Sequence, residues 1–243
     1  MIHNKTKDGK ARPFLLYDGR CAYLAPILRR FGVPLPLPPY GELPEPVCGH
    51  PDLLILPFSG PSGKTLYTYS AYRDAHRALF DALPMKTEAI DEQPGAYPRD
   101  LWLDGLILDG RLFAKAGCVP AALAGVLPTV PVNQGYARCS TLVLPDARAV
   151  ITADKGISNG LRRIGWRALL ITPGHIVLPG YDCGFIGGAS AVIGKTVLFF
   201  GDLRRHPDGE EMRSFIVSCG YRASDAPSLG ELRDCGGVIV QER

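Results

Sequence analysis

The chain has 243 residues, 46% of them hydrophobic, and its 27 Lys and Arg against 24 Asp and Glu leave a formal net charge of +3. So small and scattered a charge argues against a nucleic-acid binder, and no apolar run approaches the ~20 residues of a membrane-spanning helix. Residues 1–8 are polar and carry no apolar stretch of a secretory signal. We therefore expect a cytoplasmic protein whose seven cysteines stay reduced, with no structural metal and no cofactor.

A repeated pattern of apolar strand, helix, glycine and second strand runs along the chain. Strands ending in Asp near Gly are predicted at 14–18, 106–109, 150–154 and 197–202. Apolar residues at helical spacing are found at 24–31, 157–164 and 212–219. A further copy has a strand at 64–70 and a helix over 72–83, and a short helix is predicted around 118–125. These spacings predict a repeat of roughly forty residues.

One more strand precedes each helix-bearing unit except the first. These leading strands are predicted at 53–58, 101–103, 141–144 and 185–193. The first unit finds its leading strand at the far end of the chain, in 236–240, which closes the repeat into a ring. We predict an α/β fold, a five-bladed α/β propeller formed by a single domain over 1–243, with the first blade closed by 236–241. Three separate doubly wound lobes are the alternative.

Polar residues cluster just ahead of the leading strands. They are His50, Asp52, Arg138, Cys139, Asp182 and Asp234. Aligning the strands places His50, Arg138 and Asp234 in register, and equivalent positions of a ring converge on its axis. The sequence therefore predicts a polar pocket, in which Arg138 would lower the pKa of the neighbouring Cys139 thiol and make it nucleophilic. Salt bridges that satisfy the channel wall are the alternative.

Other polar residues have structural and chemical interpretations side by side. Asp18, Asp109, Asp154 and Asp202 each end a strand, where Asp commonly caps a following helix. His175 lies in a loop and is either a general base or a partner of a backbone carbonyl. The glycine-dense segment 180–190 would let the backbone approach a ligand or a neighbouring strand closely. Gly60–Thr65 resembles part of a phosphate-binding loop, but a hairpin turn explains it better.

Several segments together resemble a bacterial family of the guanidino-modifying-enzyme, or pentein, fold. They are 134–141, 151–157, 173–175, 180–189 and 200–209, with His50-Pro51-Asp52 in addition. The match is strongest over 130–243. That superfamily is a five-bladed α/β propeller, which agrees with the repeat. Its enzymes use a Cys near the last strand, a His and acidic residues to attack guanidinium carbons.

The resemblance implies a hydrolase or transferase acting on C–N bonds of amidines, with one departure from the pattern. Pentein enzymes carry their nucleophilic Cys shortly after a Gly-Gly pair, and here Gln241 stands at that position. Whether the chain is an enzyme therefore stays open. We take Cys139 with His50 or His175 as candidate catalytic residues. The candidate substrate-binding residues are Asp52, Arg138, Asp182 and Asp234.

Two functional hypotheses follow from different classes. The first is a pentein-fold protein whose central pocket binds a small polar metabolite, a guanidino or amino-acid-like compound. The second is a non-catalytic interaction module with a protein or ribonucleoprotein partner, since some pentein-fold proteins do no chemistry. No membrane or nucleic-acid partner is indicated, and the sequence leaves the oligomeric state open.

Overall fold

The computed structural model describes residues 11–60 and 63–242, and within them fifteen strands form five three-stranded sheets. Every sheet has the same plan. Its first strand pairs antiparallel with the second, which pairs parallel with the third. This confirms a mixed α/β fold built from five similar units.

Each sheet takes its strands from one stretch of the chain, with one exception. The strands are β1 Phe14–Asp18, β2 Val33–Leu37, β3 Ile55–Gly60, β4 Gly63–Tyr69, β5 Lys86–Ile90, β6 Leu106–Leu108, β7 Arg111–Lys115, β8 Thr129–Val132, β9 Thr141–Leu144, β10 Ala149–Thr152, β11 Arg167–Leu170, β12 Ser190–Ile193, β13 Thr196–Phe199, β14 Arg222–Ser224 and β15 Ile239–Gln241. The helices are α1 Ala25–Leu28, α2 Pro51–Leu54, α3 Ser70–Ala75, α4 Arg77–Asp81, α5 Lys155–Arg163 and α6 Gly209–Ser218.

The exception joins the two ends of the described chain. β15 pairs antiparallel with β1, Phe14 opposite Gln241 and Leu16 opposite Ile239. β1 then pairs parallel with β2, so the first sheet has the order β15-β1-β2. The predicted completion of the first unit by the C-terminal segment is confirmed.

The sheet formed by β6, β7 and β8 differs from the one predicted from the sequence. The strand predicted at 106–109 is the first strand of its sheet, β6, and not the second, while 101–103 holds no strand. Asp109 caps no helix: it has a φ of 50° in the turn between β6 and β7, and its carboxylate accepts hydrogen bonds from Arg148 and Trp166. Asp109-Gly110 is a dipeptide typical of two-residue hairpins, and that signal outweighs capping here. The segment around 118–125 forms turns and no helix.

Two other leading strands begin later than predicted, β3 at Ile55 after α2 and β12 at Ser190 after turns. The capping interpretation holds for Asp154, whose side chain accepts a hydrogen bond from the Ile157 backbone at 2.7 Å. Asp202 likewise accepts from the Arg204 backbone. Asp18 accepts from the Arg20 backbone but is fully buried.

The buried apolar side chains that the structure describes form four clusters, to which strands and helices both contribute. α5 buries Ile157, Ser158 and Leu161 on one face, as its helical spacing predicts. The strands β10 and β13 are buried along their whole length. Each fully buried Leu, Ile or Phe in them contributes about 1.5–3 kcal/mol. Within the described residues, no helix is both long and apolar enough to cross a membrane.

Candidate functional site

A cavity of about 210 Å³ opens ahead of the first strands of the sheets. Its lining combines acidic, aromatic and apolar side chains with one histidine and two thiols. These residues are Val47, His50, Asp52, Leu53, Tyr136, Cys139, Leu178, Tyr181, Asp182, Cys183, Phe185 and Asp234. Five of the sequence-predicted site residues therefore meet in one place, as a convergent polar pocket requires.

Asp52 reaches this cavity from the first turn of α2. Pro51 begins that helix directly after His50, whose backbone is extended, and the Asp52 N–H donates to the Gly236 carbonyl at 3.2 Å. The Asp52 side chain is only 6% exposed. Among the described residues, no nitrogen or oxygen donor hydrogen-bonds either carboxylate oxygen, and His50 Nδ1 is 3.9 Å away. A buried carboxylate so poorly satisfied is costly unless a ligand completes it.

Asp234 lines the same cavity and is held by backbone hydrogen bonds. Its carboxylate accepts N–H donors from Phe185 at 2.8 Å and from Gly236 at 2.9 Å, and His50 Nδ1 lies 3.8 Å from it. Burial nevertheless raises the pKa of Asp234, and the facing His50 offsets part of that effect. This carboxylate therefore titrates closer to neutrality than an exposed one.

Glycines around Asp234 explain the glycine-dense segment of the sequence. A Cβ on Gly188 would run into the Asp234 carboxylate, and one on Gly184 would collide with the Asp234 Cβ. Gly236 has a φ of 69°, and a Cβ there would contact His50. The predicted close approach of backbone at 180–190 is therefore made toward Asp234.

Cys139 lies deep in the cluster, with its Sγ donating toward Asp234 Oδ2 at 3.5 Å. Burial raises the pKa of Cys139 well above its usual value, and the charges of Asp234, Asp52 and Asp104 raise it further. The expectation that Arg138 lowers this pKa is wrong, because three carboxylates face the sulfur. This shift favours the protonated thiol at neutral pH.

The Arg138 guanidinium donates to backbone carbonyls and not to the sulfur of Cys139, the residue that follows it. Its Nη2 donates to the Ile55 carbonyl at 2.7 Å, and its Nε is 3.8 Å from the fully buried Asp104. Arg138 lines a second cavity, of about 270 Å³, together with strand residues of β9, β12 and β15. Asp52 and Cys139 line both cavities and so form the wall between them.

Aromatic rings form one side of the first cavity. Tyr136 and Phe185 pack with ring centroids 5.8 Å apart, and the Tyr136 hydroxyl donates to the buried Asp100 at 2.7 Å. Burial, followed by the bond to Asp100, raises the pKa of Tyr136, so the phenol stays neutral. Tyr181 and Asp182 are exposed and stand at the mouth.

Two residues singled out from the sequence lie elsewhere. His175 is exposed, and its ring packs edge to face on His206 at 5.5 Å; it lines neither cavity. Gln241, where the family resemblance led us to expect a nucleophilic Cys, is buried in β15 opposite Phe14. His50 is thus the histidine that the structure brings to Cys139.

Sequence reasoning missed Asp104, and the cause is the misplaced third unit. Asp104 precedes β6 by two residues, as Cys139 precedes β9, and its Oδ1 accepts the Cys139 N–H at 3.1 Å. Burial and the charge of Asp52 raise its pKa well above the usual value. Interpreted as a hairpin turn, Asp109-Gly110 would have placed Asp104 just before the first strand of its sheet, the position that Cys139 has before β9.

Carboxyl groups outnumber basic side chains in this region. Asp52, Asp104 and Asp234 face one guanidinium, that of Arg138, and one imidazole, that of His50. Within the described part of the chain, no group of three or more His, Cys, Asp or Glu is arranged to hold a metal ion. Carboxylates and aromatic faces of this kind are able to pair with an organic cation.

Comparison with known proteins places the chain in a family. The model of a family of unknown function, DUF6873, matches residues 23–239. The chain belongs to the DUF6873 family. A search of curated proteins returned no match to this DUF6873 chain.

Solved structures resemble the DUF6873 chain in fold. A dimethylarginine dimethylaminohydrolase in adduct with S-methyl-L-thiocitrulline matches with a TM-score of 0.57 and 11% identity, over 93% of this chain and 98% of that one. The same values hold for a dimethylarginine dimethylaminohydrolase adduct with 4-chloro-2-hydroxymethylpyridine. An amidinotransferase of saxitoxin biosynthesis from Microseira wollei has a TM-score of 0.49 and 11% identity, covering 91% and 78% of the two chains. The predicted pentein fold is confirmed.

Proposed function

We propose that the five sheets are the blades of a single-domain propeller, with their first strands around a central channel. Two observations support this arrangement. β12 contacts both β9 and β15, and one cavity is lined jointly by residues of β3, β9, β12 and β15. First strands from four sheets therefore approach one space. The candidate site stands at one end of it.

We propose that the site binds a small organic cation, of the guanidino or amino-acid-like class. The observation that carries the proposal is the buried carboxylate of Asp52, a residue that lines the cavity and whose oxygens accept no hydrogen bond from a nitrogen or oxygen donor among the described residues. A guanidinium group presents paired N–H donors that match a carboxylate. Binding would satisfy Asp52 and offset the negative charge that surrounds it.

The other walls support the same class of ligand. The rings of Tyr136 and Phe185 offer faces for a planar cation, and a cavity of about 210 Å³ admits a small metabolite and not a macromolecule. Asp182, at the mouth, is placed to contact the ligand's outer end. A small cavity with flat aromatic walls and acidic side chains suits a guanidino compound, which is small, planar and positively charged.

Calorimetric titration with L-arginine and with L-citrulline tests this proposal, because the two ligands differ in side-chain charge and little in shape. We expect arginine to bind and citrulline to bind at least about ten-fold more weakly, the loss typical of a charged hydrogen-bonded pair. Asp52→Asn should remove that preference. Asp146→Asn, at an exposed salt bridge with Lys195, is the matched control. Equal binding of both ligands would contradict the proposal.

A second candidate function is a cysteine-dependent hydrolase or transferase acting on the C–N bonds of amidines, favoured by Cys139 and His50 on the same cavity. The Cys139 sulfur would attack the amidine carbon and lose its proton, while the C–N bond breaks and the amine leaves with a proton. Water, or an amine in a transferase, then adds to that carbon as the C–S bond breaks and the thiol regains its proton. The positive charge of the ligand would lower the pKa of Cys139 at that stage.

Release of amine from guanidino compounds, followed with wild type and Cys139→Ser, tests this chemistry. We expect the variant to keep arginine binding and to lose turnover. Turnover retained in Cys139→Ser would rule out Cys139 as the nucleophile. Arginine binding without turnover in the wild type would favour a non-catalytic binding protein, and absence of binding would favour the interaction-module alternative.

A further inference from the structure

A second group of reactive side chains lies on the far side of His50 and Asp234, outside the ligand cavity. There an outer cavity of about 380 Å³ is bounded by Cys21, Tyr23 and Arg233, among other residues. Cys235 adjoins it, with its Sγ 3.3 Å from the Tyr23 hydroxyl oxygen. The proposed ligand site uses none of these four residues, so an inference drawn from them is independent of it.

The pairing of β1 with β15 brings two thiols together. Cys21 follows β1 and Cys235 precedes β15. Because these strands run antiparallel, both cysteines lie at the same end of the strand pair. The Tyr23 hydroxyl donates to Cys21 Sγ at 3.4 Å and contacts Cys235 Sγ at 3.3 Å. One phenol oxygen thus touches both sulfur atoms.

The two thiols differ in access and in acidity. Cys21 is half-buried, while Cys235 is 1% exposed. A hydrogen bond with Cys235 lowers the pKa of Cys21, and the bond with Tyr23 lowers it further, against the opposing effect of burial. The same contact with Cys21 raises the pKa of Cys235 well above its usual value. The accessible sulfur is therefore the one that is stabilised as thiolate.

We propose that Cys21 and Cys235 are a hydroperoxide-sensitive thiol pair that closes reversibly to a disulfide. The Cys21 thiolate attacks one oxygen of hydrogen peroxide: an S–O bond forms, the O–O bond breaks, and hydroxide leaves as water with the proton that Cys21 gave up. The Cys235 sulfur then attacks the Cys21 sulfur. An S–S bond forms, the S–O bond breaks, and a second water leaves with the Cys235 proton.

The balance is two electrons from two thiols to one peroxide, and a dithiol reductant reverses it by thiol–disulfide exchange. In the disulfide the sulfur atoms of Cys21 and Cys235, which both contact the Tyr23 hydroxyl in the reduced protein, would lie about 2.05 Å apart. Since Cys235 follows Asp234, the modification lies next to the candidate ligand site without being part of it.

Peptide mapping of wild-type protein tests the proposal without any substitution. Reduced protein is treated with one equivalent of hydrogen peroxide, alkylated and digested without reductant, and the cross-linked peptides are identified by mass spectrometry. We expect a Cys21–Cys235 disulfide that dithiothreitol removes. A disulfide between other cysteines, or none, would overturn the proposal.

Cys183 supplies the internal comparison, because it is also a half-buried free thiol. In reduced protein, Cys21 should react with iodoacetamide at pH 7 at least about ten-fold faster than Cys183, as expected for a thiol of lowered pKa. Cys235→Ser should stop oxidation at a Cys21 sulfenic acid that dimedone traps, whereas Cys183→Ser should leave disulfide formation unchanged. Equal reactivity of Cys21 and Cys183 would contradict the assignment.

Discussion

Cys139 and Cys21 line two different cavities that share His50 and Asp234, and their surroundings shift their pKa values in opposite directions. Cys139 is buried among carboxylates, which raise its pKa. Cys21 accepts hydrogen bonds from Tyr23 and Cys235, which lower its pKa. Neighbouring donors and charges, more than the presence of a thiol, therefore decide which cysteine is reactive in the unliganded protein.

The largest expected effect comes from removing the carboxylate that divides the two regions. Asp234→Ala would leave the buried N–H groups of Phe185 and Gly236 without acceptors, which costs about 1–3 kcal/mol for each group. We expect a fall of about 3 kcal/mol or more in the free energy of unfolding, measured by urea titration. Asp182→Ala, at the exposed cavity mouth, is the control and should change little. A fall under about 1 kcal/mol would show that Asp234 does not organise the region.

A smaller loss is expected from Gly188→Ala. Its new Cβ would press on the Asp234 carboxylate, and overpacking of this kind costs about 1–3 kcal/mol. The melting temperature should fall, whereas Gly160→Ala, where a Cβ meets open space within α5, should leave it equal or higher. An unchanged melting temperature in Gly188→Ala would contradict the tight approach to Asp234.

The carboxylates on the Cys139 side should also make stability depend on pH. Burial raises the pKa of Asp104 in the folded chain, so its stabilising contribution is present at acidic pH and is lost as pH rises through that folded pKa. Asp104→Asn can still accept the Cys139 N–H and carries no charge. The difference in unfolding free energy between acidic and mildly alkaline pH should therefore be smaller in Asp104→Asn than in wild type. An identical pH dependence would contradict the assigned shift.

The smallest expected effect is a change in the alkylation rate of Cys139 relative to that of Cys21. Asp52→Asn removes one of the negative charges that raise the pKa of Cys139 and should speed its alkylation several-fold. Cys21 should react at the wild-type rate, because Asp52 is not among the groups that shift its pKa. Timed alkylation with peptide mapping measures both rates. A change at Cys21 equal to that at Cys139 would indicate general loosening instead.

The sequence was most informative where units repeat and least where distant residues meet. The joining of 236–241 to the first unit and the cluster of His50, Asp52, Cys139 and Asp234 could be inferred from spacing alone. Asp104 was hidden because Asp109-Gly110 was interpreted as a strand end and not as a hairpin turn. The direction of the Cys139 pKa shift depends on burial, which spacing along the chain does not report.

The contact of Tyr23 with Cys235 shows the same limit over a longer range. The two residues are 212 positions apart, and each is unremarkable in its own segment. The pairing of β1 with β15 was predicted. The contact of one hydroxyl with two sulfur atoms, however, depends on the directions of the side chains at the end of these strands. The periodicity of the sequence predicts the sheets, whereas the side-chain contacts at the ends of their strands are seen only in the three-dimensional structure.

The pairing of β15 with β1 also has a consequence for synthesis of the chain. Leu15 and Leu16 emerge from the ribosome long before Val240 and Ile239, the residues that sit opposite them. Until then β1 has one open edge of unpaired amides and carbonyls, which is a template for pairing with other chains. A chain that ends before β15 would therefore keep this edge of β1 unpaired and prone to aggregation. During synthesis, a chaperone that binds nascent chains would have to cover it until β15 is made.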